Sequence, residues 1–214
     1  MKEPAMKKID YTLYLVTDRN QPAPGTFEKV VAEAIRGGAT LVQLREKSGD
    51  TGILYERARQ LKQVTDRYHV PLIIDDRIDI MMAVDADGVH VGQSDMPASV
   101  ARKMIGHDKI LGVSAGTLEE AVKAEKDGAD YLGVGAMFPT ATKTDADITS
   151  METLKAILQT VHIPVVVIGG INQKTIPQFK GLGIAGCAVV SAIMANRDPQ
   201  NSAKELKELI NRNK

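Results

Sequence analysis

The stretch from Leu72 to Pro97 reads LIIDDRIDIMMAVDADGVHVGQSDMP, and two short apolar segments in it each lead into acidic residues. The first runs directly into Asp75 and Asp76, and the second reaches Asp95 after a glycine. A helical segment lies between the two. This order of strand, helix and strand is the repeating unit of parallel α/β folds, in which ligands gather at the carboxyl ends of the strands.

Asp76 and Asp95 follow neighbouring strands, so we expect the two carboxylates to face each other at one end of the sheet. Two single carboxylates suit a Mg²⁺ ion, which prefers oxygen ligands and keeps several waters that a substrate phosphate can replace. A structural role is the alternative: Asp75 and Asp76 would cap the helix that starts near Ile78.

The rest of the chain repeats the same unit until there are eight. Four of the predicted helix-to-strand junctions, RGGAT, DADGV, DGADY and GIAGC, place glycine and a small residue just before an apolar strand. The pattern predicts one (β/α)₈ barrel domain over residues 1–214, and an open doubly wound sheet is the alternative. The predicted strands are 11–16, 40–45, one opened by Pro71, 88–91, 109–113, 131–135, 164–168 and 186–190. The predicted helices are 27–35, 51–68, one from Ile78, 98–105, 118–126, 151–161, 174–181 and 203–212.

Composition excludes several classes of protein. The 214 residues are 43% hydrophobic, enough for one core, and 27 basic residues balance 27 acidic ones, so no global field attracts nucleic acid or an acidic membrane surface. The single Cys187 excludes an internal disulfide and predicts a core residue in a reducing compartment. Neither the N-terminal MKEPAMKKID nor any later segment approaches the ~20 apolar residues of a membrane span, so we expect a cytoplasmic protein. A homo-oligomer is compatible with the sequence, which does not set the oligomeric state.

The second predicted strand, LVQLREK, carries polar residues on one face. Gln43, Arg45 and Lys47 stand at i, i+2 and i+4 and therefore project to the same side of an extended chain. Burying two cations inside a barrel costs desolvation free energy unless an anion or solvent contacts them at the mouth of the barrel. Arg45 can fork onto phosphate oxygens and Lys47 can act as a mobile point charge. Pairing with Glu46 or another carboxylate is the alternative.

A long loop follows the sixth strand and reads GVGAMFPTATKTDAD. Thr140, Thr142 and Lys143 supply hydroxyl donors and a cation. Long loops on the ligand face of such folds tend to bind ligands or close over them. An ordinary solvated loop is the alternative.

The last two strands predict a second anion site. The seventh ends in IGGIN, with Gly170, and the eighth ends in VVSAI, with Val190 and Ser191 at the start of a short helix. Barrels of this kind commonly hold a phosphate between these two loops on backbone N–H groups.

Two further polar residues lie near strand ends. Ser114, in LGVSAG, is placed to donate to a phosphate oxygen, or else to cap the next helix. His90 lies in the middle of a predicted strand, where it is as readily a hydrogen-bonded barrel residue as a site residue. No Ser/His/Asp or Cys/His pattern presents itself, which argues against covalent hydrolysis.

Taken together, these segments resemble the thiamine-phosphate synthase family. The matching motifs are YLVTD, QLREK, LIIDDR, DGVHVGQSDMP, LGVS, GVGAMFPTATKTDA, IGGI and VVSAI, which occur in the family's order over nearly the whole chain. The resemblance implies a transferase that condenses hydroxymethylpyrimidine diphosphate with hydroxyethylthiazole phosphate, giving thiamine phosphate and diphosphate.

The resemblance also implies roles for particular residues. One Mg²⁺ per site would be held by Asp76 and Asp95, and Arg45, Lys47 and Lys143 would act on the leaving diphosphate. The pyrimidine diphosphate would be held by Gln43, Leu44, Arg45, Glu46, Lys47, Asp75, Ser114 and Lys143. The thiazole phosphate would be held by Thr140, Ala141, Thr142, Gly170, Val190 and Ser191.

The sequence departs from the family pattern at two positions. Asp75 stands where the family usually has Asn, which affects the pyrimidine contact, and Ala136 stands where it usually has Pro, which is expected to loosen the following loop. Two other functions remain open: a related barrel that isomerises a thiazole phosphate, and a non-catalytic binder of thiamine precursors. The isomerase would not need Arg45, Lys47, Asp76 and Asp95 together.

Overall fold

The computed structural model describes residues 9–21, 25–140 and 147–214. Its strands pair in parallel and in sequence order, and β1 closes the sheet by pairing with β8, so the (β/α)₈ barrel is confirmed. The strands are β1 Leu13–Val16, β2 Leu41–Leu44, β3 Leu72–Asp75, β4 Gly88–Val91, β5 Ile110–Ala115, β6 Tyr131–Val134, β7 Val165–Val167 and β8 Gly186–Val189.

Helices follow the strands on the outside of the barrel. Several begin at side-chain caps: Thr26 and Ser150 accept from backbone N–H groups of the first turn, and Thr117 forms a capping box with Glu120. The α-helices of the described residues are α1 Phe27–Gly37, α2 Thr51–Arg67, α3 Ile78–Ala83, α4 Ala98–Ile105, α5 Leu118–Lys126, α6 Met151–Thr160, α7 Ser191–Met194 and α8 Pro199–Asn213.

Two helix predictions need correction. The helix predicted at 174–181 is only a 3-10 helix at Ile176–Phe179, because Pro177 stands in its first turn and glycines follow soon after it. The last helix begins at Pro199, earlier than predicted. Asp198 caps it, and a proline is well tolerated in the first turn, where its missing N–H costs nothing.

The apolar residues divide into two layers because side chains alternate along each strand. One set packs against the helices and includes Val42, Leu44 and Cys187. The other fills the barrel interior and includes Tyr11, Tyr14, Leu41, Ile73, Ile110, Tyr131 and Val166. Cys187 is fully buried, as predicted. Over the described ranges, no helix is long and apolar enough to cross a membrane.

Candidate active site

A cavity of about 750 Å³ opens at the carboxyl ends of the strands. This size falls within the usual range for small-molecule sites. Residues predicted from separate strands meet in its wall: Gln43, Arg45, Lys47, Asp75, Asp76, Asp95, Ser114, Thr140, Gly170, Val190 and Ser191. Ala141, Thr142 and Lys143 lie outside the described residues.

The polar row of β2 leads from the barrel interior to the mouth. Gln43 is buried, Arg45 is half-buried and Lys47 is exposed, while Leu44 packs towards the helices and offers the cavity no side chain. Within the described ranges the Arg45 guanidinium has no ion-pair or hydrogen-bond partner. The predicted alternative, a pair with Glu46 or another carboxylate, is therefore not found for Arg45, which is available for an anion. It is found for Lys47, which pairs with Asp75 and Asp76.

Glu46 points away from the cavity. Its carboxylate binds Arg19 and, at 3.0 Å, Arg57, and the Arg19 guanidinium lies 3.7 Å from the centre of the Phe27 ring. These contacts fix the end of β2 from the outside. The side chain of Glu46 thus supports the strand end that carries Arg45 and does not line the cavity.

Lys47 bridges the two acidic residues at the end of β3. Its ammonium lies 2.5 Å from Asp76 Oδ2 and 2.8 Å from Asp75 Oδ2. The contact with Asp75 is an ion pair whose angles are poor for a hydrogen bond, and Lys47 is the cation nearest to this buried oxygen among the described residues. The alternative that Asp75 and Asp76 cap α3 is wrong, because Arg77 occupies the N-cap position and no side chain caps the helix.

Asp95 is oriented by a tight turn after β4. Its Oδ2 accepts the Gly92 N–H at 2.8 Å, and its own N–H donates to the Gly92 carbonyl at 3.3 Å. Burial, the Asp75 charge and the Asp95 carboxylate raise the pKa of Asp76 to about 6, against the opposing effect of Lys47. A bound cation would relieve this crowding of carboxylates. We call the group of Arg45, Lys47, Asp75, Asp76 and Asp95 the charged side.

The opposite wall of the mouth is built from backbone. The Gly170 carbonyl accepts from Asn172 Nδ2 and from Thr175 Oγ1, both at 3.0 Å, so the loop is pinned and Gly170 offers its N–H. Val190 and Ser191 begin α7, where first-turn N–H groups have no partner inside the helix. We call Gly170, Val190 and Ser191 the neutral side.

The floor of the cavity is formed by residues to which the sequence alone assigned no role. His90 is buried between Tyr131, whose hydroxyl lies 2.9 Å from Nδ1, and Ser114, whose Oγ lies 2.9 Å from Nε2. Ser114 stands inside β5, so the predicted alternative of an N-cap is wrong. Tyr14 and Tyr131 were missed as cavity residues. The sequence does contain a signal for them. Leu13 and Leu132 face the helices, and because side chains alternate along a strand, the adjacent Tyr14 and Tyr131 must face the barrel interior.

The fold and the cavity define a barrel enzyme for small phosphorylated substrates, because cations with carboxylates and pinned backbone donors face each other across one mouth. The particular family follows from comparison with known proteins. Residues 13–193 match the family described as thiamine monophosphate synthase, and the chain belongs to that family.

Individual relatives agree with this assignment. The chain is 58% identical over 201 residues to the thiamine-phosphate synthase of Clostridium botulinum, covering 94% of each chain. It is 59% identical over 203 residues to that of Ruminiclostridium cellulolyticum, covering 95% of this chain and 97% of the relative. A solved thiamine phosphate pyrophosphorylase from Pyrococcus furiosus superposes with a TM-score of 0.87 at 42% identity, over 95% of this chain and 96% of that one. Nothing in these relatives favours the isomerase or the non-catalytic binder.

Proposed function

We propose that the cavity joins 4-amino-5-hydroxymethyl-2-methylpyrimidine diphosphate to hydroxyethylthiazole phosphate, releasing diphosphate and thiamine phosphate. The observation that carries this proposal is the opposition of the charged side and the neutral side across one mouth. Two phosphorylated substrates need two anion sites, and a reaction between them needs those sites to share a cavity. The single buried cysteine is consistent with a reducing, cytoplasmic location.

The charged side suits the pyrimidine diphosphate. The Arg45 side chain has no partner within the described residues and can bind phosphate oxygens with two parallel N–H groups, while Lys47 and Ser114 line the same cavity. Lys143 is proposed to add a third cation from the loop after β6. Gln43 and Asp75, which line the same cavity, are proposed to contact the pyrimidine ring, and the Asp75 carboxylate can accept a hydrogen bond from its amino group.

Asp76 and Asp95 are the residues proposed to hold Mg²⁺. In the described part of the chain, no cluster of three or more histidine, cysteine or acidic residues has the arrangement of a metal site. Mg²⁺ differs from most metals in being held by one or two carboxylates together with waters and substrate phosphates, so two suffice. Burial and the Asp75 charge raise the pKa of Asp76, and this supports the fit because a bound cation would favour the ionised carboxylate. A bound Mg²⁺ would supply positive charge to the departing diphosphate.

The neutral side suits the thiazole phosphate. Its phosphate keeps its charge throughout the reaction, so backbone N–H groups of Gly170, Val190 and Ser191 are sufficient donors. Thr140 lines the cavity beside them, and the neighbouring Ala141 and Thr142 are proposed to extend the same site.

In the proposed reaction, the bond between the pyrimidine methylene carbon and the diphosphate oxygen breaks, and the electron pair leaves with diphosphate. The aminopyrimidine ring stabilises the positive methylene carbon until the lone pair of the thiazole nitrogen forms the new carbon–nitrogen bond. That nitrogen carries no proton to remove. The reaction needs no general base. Consistently, among the described residues the hydrogen-bonded pair of Ser114 and His90 has Tyr131, and not a carboxylate, as its third member. The task of Arg45, Lys47 and Lys143 is to offset charge on the leaving group.

Turnover tests the proposal. Purified protein with both substrates and Mg²⁺ should release diphosphate and form thiamine phosphate in equal amounts. Omitting either substrate should stop both products. Binding of both substrates without diphosphate release would identify a non-catalytic binder, and conversion of the thiazole phosphate alone would identify an isomerase. Either result would overturn the proposal.

A further inference from the structure

A chain of hydrogen bonds crosses the cavity floor from β2 to β5. Gln43 Nε2 donates to the Tyr14 hydroxyl at 2.7 Å, and the hydroxyls of Tyr14 and Tyr131 lie 2.8 Å apart. The Tyr131 hydroxyl lies 2.9 Å from His90 Nδ1, and His90 Nε2 lies 2.9 Å from Ser114 Oγ. Five side chains from β1, β2, β4, β5 and β6 are thus joined in one line.

The first bond sets the direction of all the others. Each hydroxyl has one hydrogen, a buried hydrogen needs an acceptor, and the described residues offer the Tyr14 and Tyr131 hydroxyls no acceptor outside this line. Tyr14 accepts from Gln43, so its hydrogen goes to Tyr131, and the hydrogen of Tyr131 goes to His90 Nδ1. Since Nδ1 is then an acceptor, the neutral imidazole carries its hydrogen on Nε2 and donates it to Ser114. The hydroxyl hydrogen of Ser114 is left free to point into the cavity.

The reverse direction would have the opposite consequence for a ligand. With the Gln43 amide turned over, every hydrogen would run the other way, and Ser114 would donate to His90. It would then present only lone pairs to the cavity, where they would repel a phosphate oxygen. The state of His90 therefore decides whether Ser114 is a donor or an acceptor towards an anion.

We propose that Tyr14, Tyr131 and His90 form a positioning relay that holds His90 as its Nε2–H tautomer and aims the Ser114 hydroxyl hydrogen at the diphosphate of the pyrimidine substrate. The choice of substrate rests on the proposed function. The tautomer does not, because only residues of this chain determine it.

Packing leaves the relay little room to rearrange. A Cβ atom added at Gly112 would lie 2.3 Å from the Tyr131 hydroxyl and 2.5 Å from His90 Nδ1, and one at Gly133 would lie 3.1 Å from His90 Cε1. The inner faces of β5 and β6 thus need glycine to admit the two rings. Burial lowers the pKa of His90 to about 4, so the ring is neutral at pH 7 and only its two tautomers compete.

The tautomer is measured directly by ¹⁵N NMR of the histidine rings at pH 7 without substrates. The His90 signals are assigned from their loss in His90→Gln. We expect Nε2 to be protonated and Nδ1 to be unprotonated in the parent, and Tyr131→Phe to give a mixture of both tautomers. A parent with Nδ1 protonated would overturn the relay. This result stands whether or not the protein turns over the proposed substrates.

Kinetics test the consequence for the substrate. Tyr131→Phe should lower kcat/KM for the pyrimidine diphosphate roughly tenfold, the usual order for one hydrogen bond, without changing KM for the thiazole phosphate. Tyr14→Phe should act in the same direction, and provides a second variant should Tyr131→Phe fold poorly. In a Ser114→Ala background, neither substitution should cause a further loss, because the relay acts only through Ser114. Full additivity with Ser114→Ala would overturn the proposal.

Tyr11→Phe is the matched control. The Tyr11 ring packs 5.0 Å from the Tyr131 ring, centre to centre, and no hydrogen bond of the described residues includes its hydroxyl. It removes a hydroxyl from the same aromatic group without touching the relay. We expect unchanged kinetics and an unchanged His90 tautomer, and a loss as large as that of Tyr131→Phe would show general repacking instead.

Discussion

The charged side and the neutral side of the mouth bind anions by different means. The charged side gathers two cations and three carboxylates, and burial together with the Asp75 charge raises the pKa of Asp76 to about 6, against the opposing effect of Lys47. The neutral side offers backbone N–H groups at the start of α7 and on the Gly170 loop, which Asn172 and Thr175 hold in place. Full charges are useful where charge changes during a reaction, as on a leaving diphosphate, whereas fixed dipoles are enough to hold a phosphate whose charge is constant.

The largest effect is expected from the carboxylates of the charged side. Asp76→Asn should lower kcat by ~10²–10³-fold, and EDTA should do the same to the parent. Asn suits this position because Asp76 has φ 59°, a left-handed conformation that Asn tolerates. Asp85→Asn is the matched control, since Asp85 has φ 52° and a carboxylate that is 89% exposed. A parent unaffected by EDTA would contradict the proposed metal site.

The cations of the charged side should show the second largest effect. Arg45→Ala and Lys143→Ala should each lower kcat by ~10²-fold, with little change in KM for the thiazole phosphate, because their charge matters most as diphosphate departs. Arg59→Ala, on the outer surface of α2, should leave the kinetics unchanged. If Arg45→Ala or Lys143→Ala altered only the KM for the thiazole phosphate, that substrate would have to be assigned to the charged side and the pyrimidine diphosphate to the neutral side.

The next effect concerns His90, on the cavity floor between the two sides, and is measured as the pH dependence of the free energy of unfolding. Burial lowers the pKa of His90 from 6.5 to about 4, against partial opposition from Asp75. As the pH falls below 6.5, His90 binds a proton in the unfolded chain but stays neutral in the folded protein. The folded protein therefore loses stability between pH 6.5 and pH 4. Relative to His90→Gln, the parent should lose ~2 kcal/mol of unfolding free energy between pH 7 and pH 5.

Denaturant unfolding at each pH measures this difference. His107→Gln, at an exposed histidine, is the control and should follow the parent at every pH. A constant gap between the parent and His90→Gln would mean that His90 titrates normally in the folded protein.

On the neutral side, Gly170→Ala should raise KM for the thiazole phosphate about tenfold and leave KM for the pyrimidine diphosphate nearly unchanged. Gly170 has φ +66°, and an added Cβ would lie 2.7 Å from Phe138 Cβ, so the loop must shift. Gly181→Ala is the control, because Gly181 has φ +71° and open space around it. Gly181→Ala should cause the same kind of backbone strain as Gly170→Ala, but it should not displace a neighbouring residue. Equal effects on both KM values would remove the distinction between the sides.

The smallest effect is expected at Asp75, where the family usually has Asn. Asp75→Asn should be at least as active as the parent and within about tenfold of it, since the amide keeps an acceptor and removes one charge beside Asp76. Asp75→Ala loses the acceptor and should be worse. These are measured as kcat/KM for the pyrimidine diphosphate. If Asp75→Asn lost as much activity as Asp76→Asn, Asp75 would have to be assigned to the metal site and removed from the pyrimidine site.

Local periodicity accounts for what could be predicted of the fold. The bounds of β4, α4 and α5 agree with prediction, because each has an uninterrupted apolar pattern between glycine, proline or capping residues. Prediction was poorer at Ile176–Phe179, where the apolar spacing suits a helix but Pro177 and the glycines that follow shorten it. Local propensity and helical spacing conflict there, and the sequence pattern alone does not show which prevails.

The sequence by itself determined the barrel, the alternation that sends Gln43, Arg45 and Lys47 to one face, and the strand ends that carry Asp76 and Asp95. Those properties depend on spacing within single segments. Only the tertiary structure decided that Lys47 bridges Asp75 and Asp76, that Glu46 turns away to Arg19 and Arg57, and that Tyr14 meets Tyr131 across 117 residues. Partners inside a closed barrel are chosen by the stagger of its strands, which depends on all eight strands together and not on the spacing within any one of them.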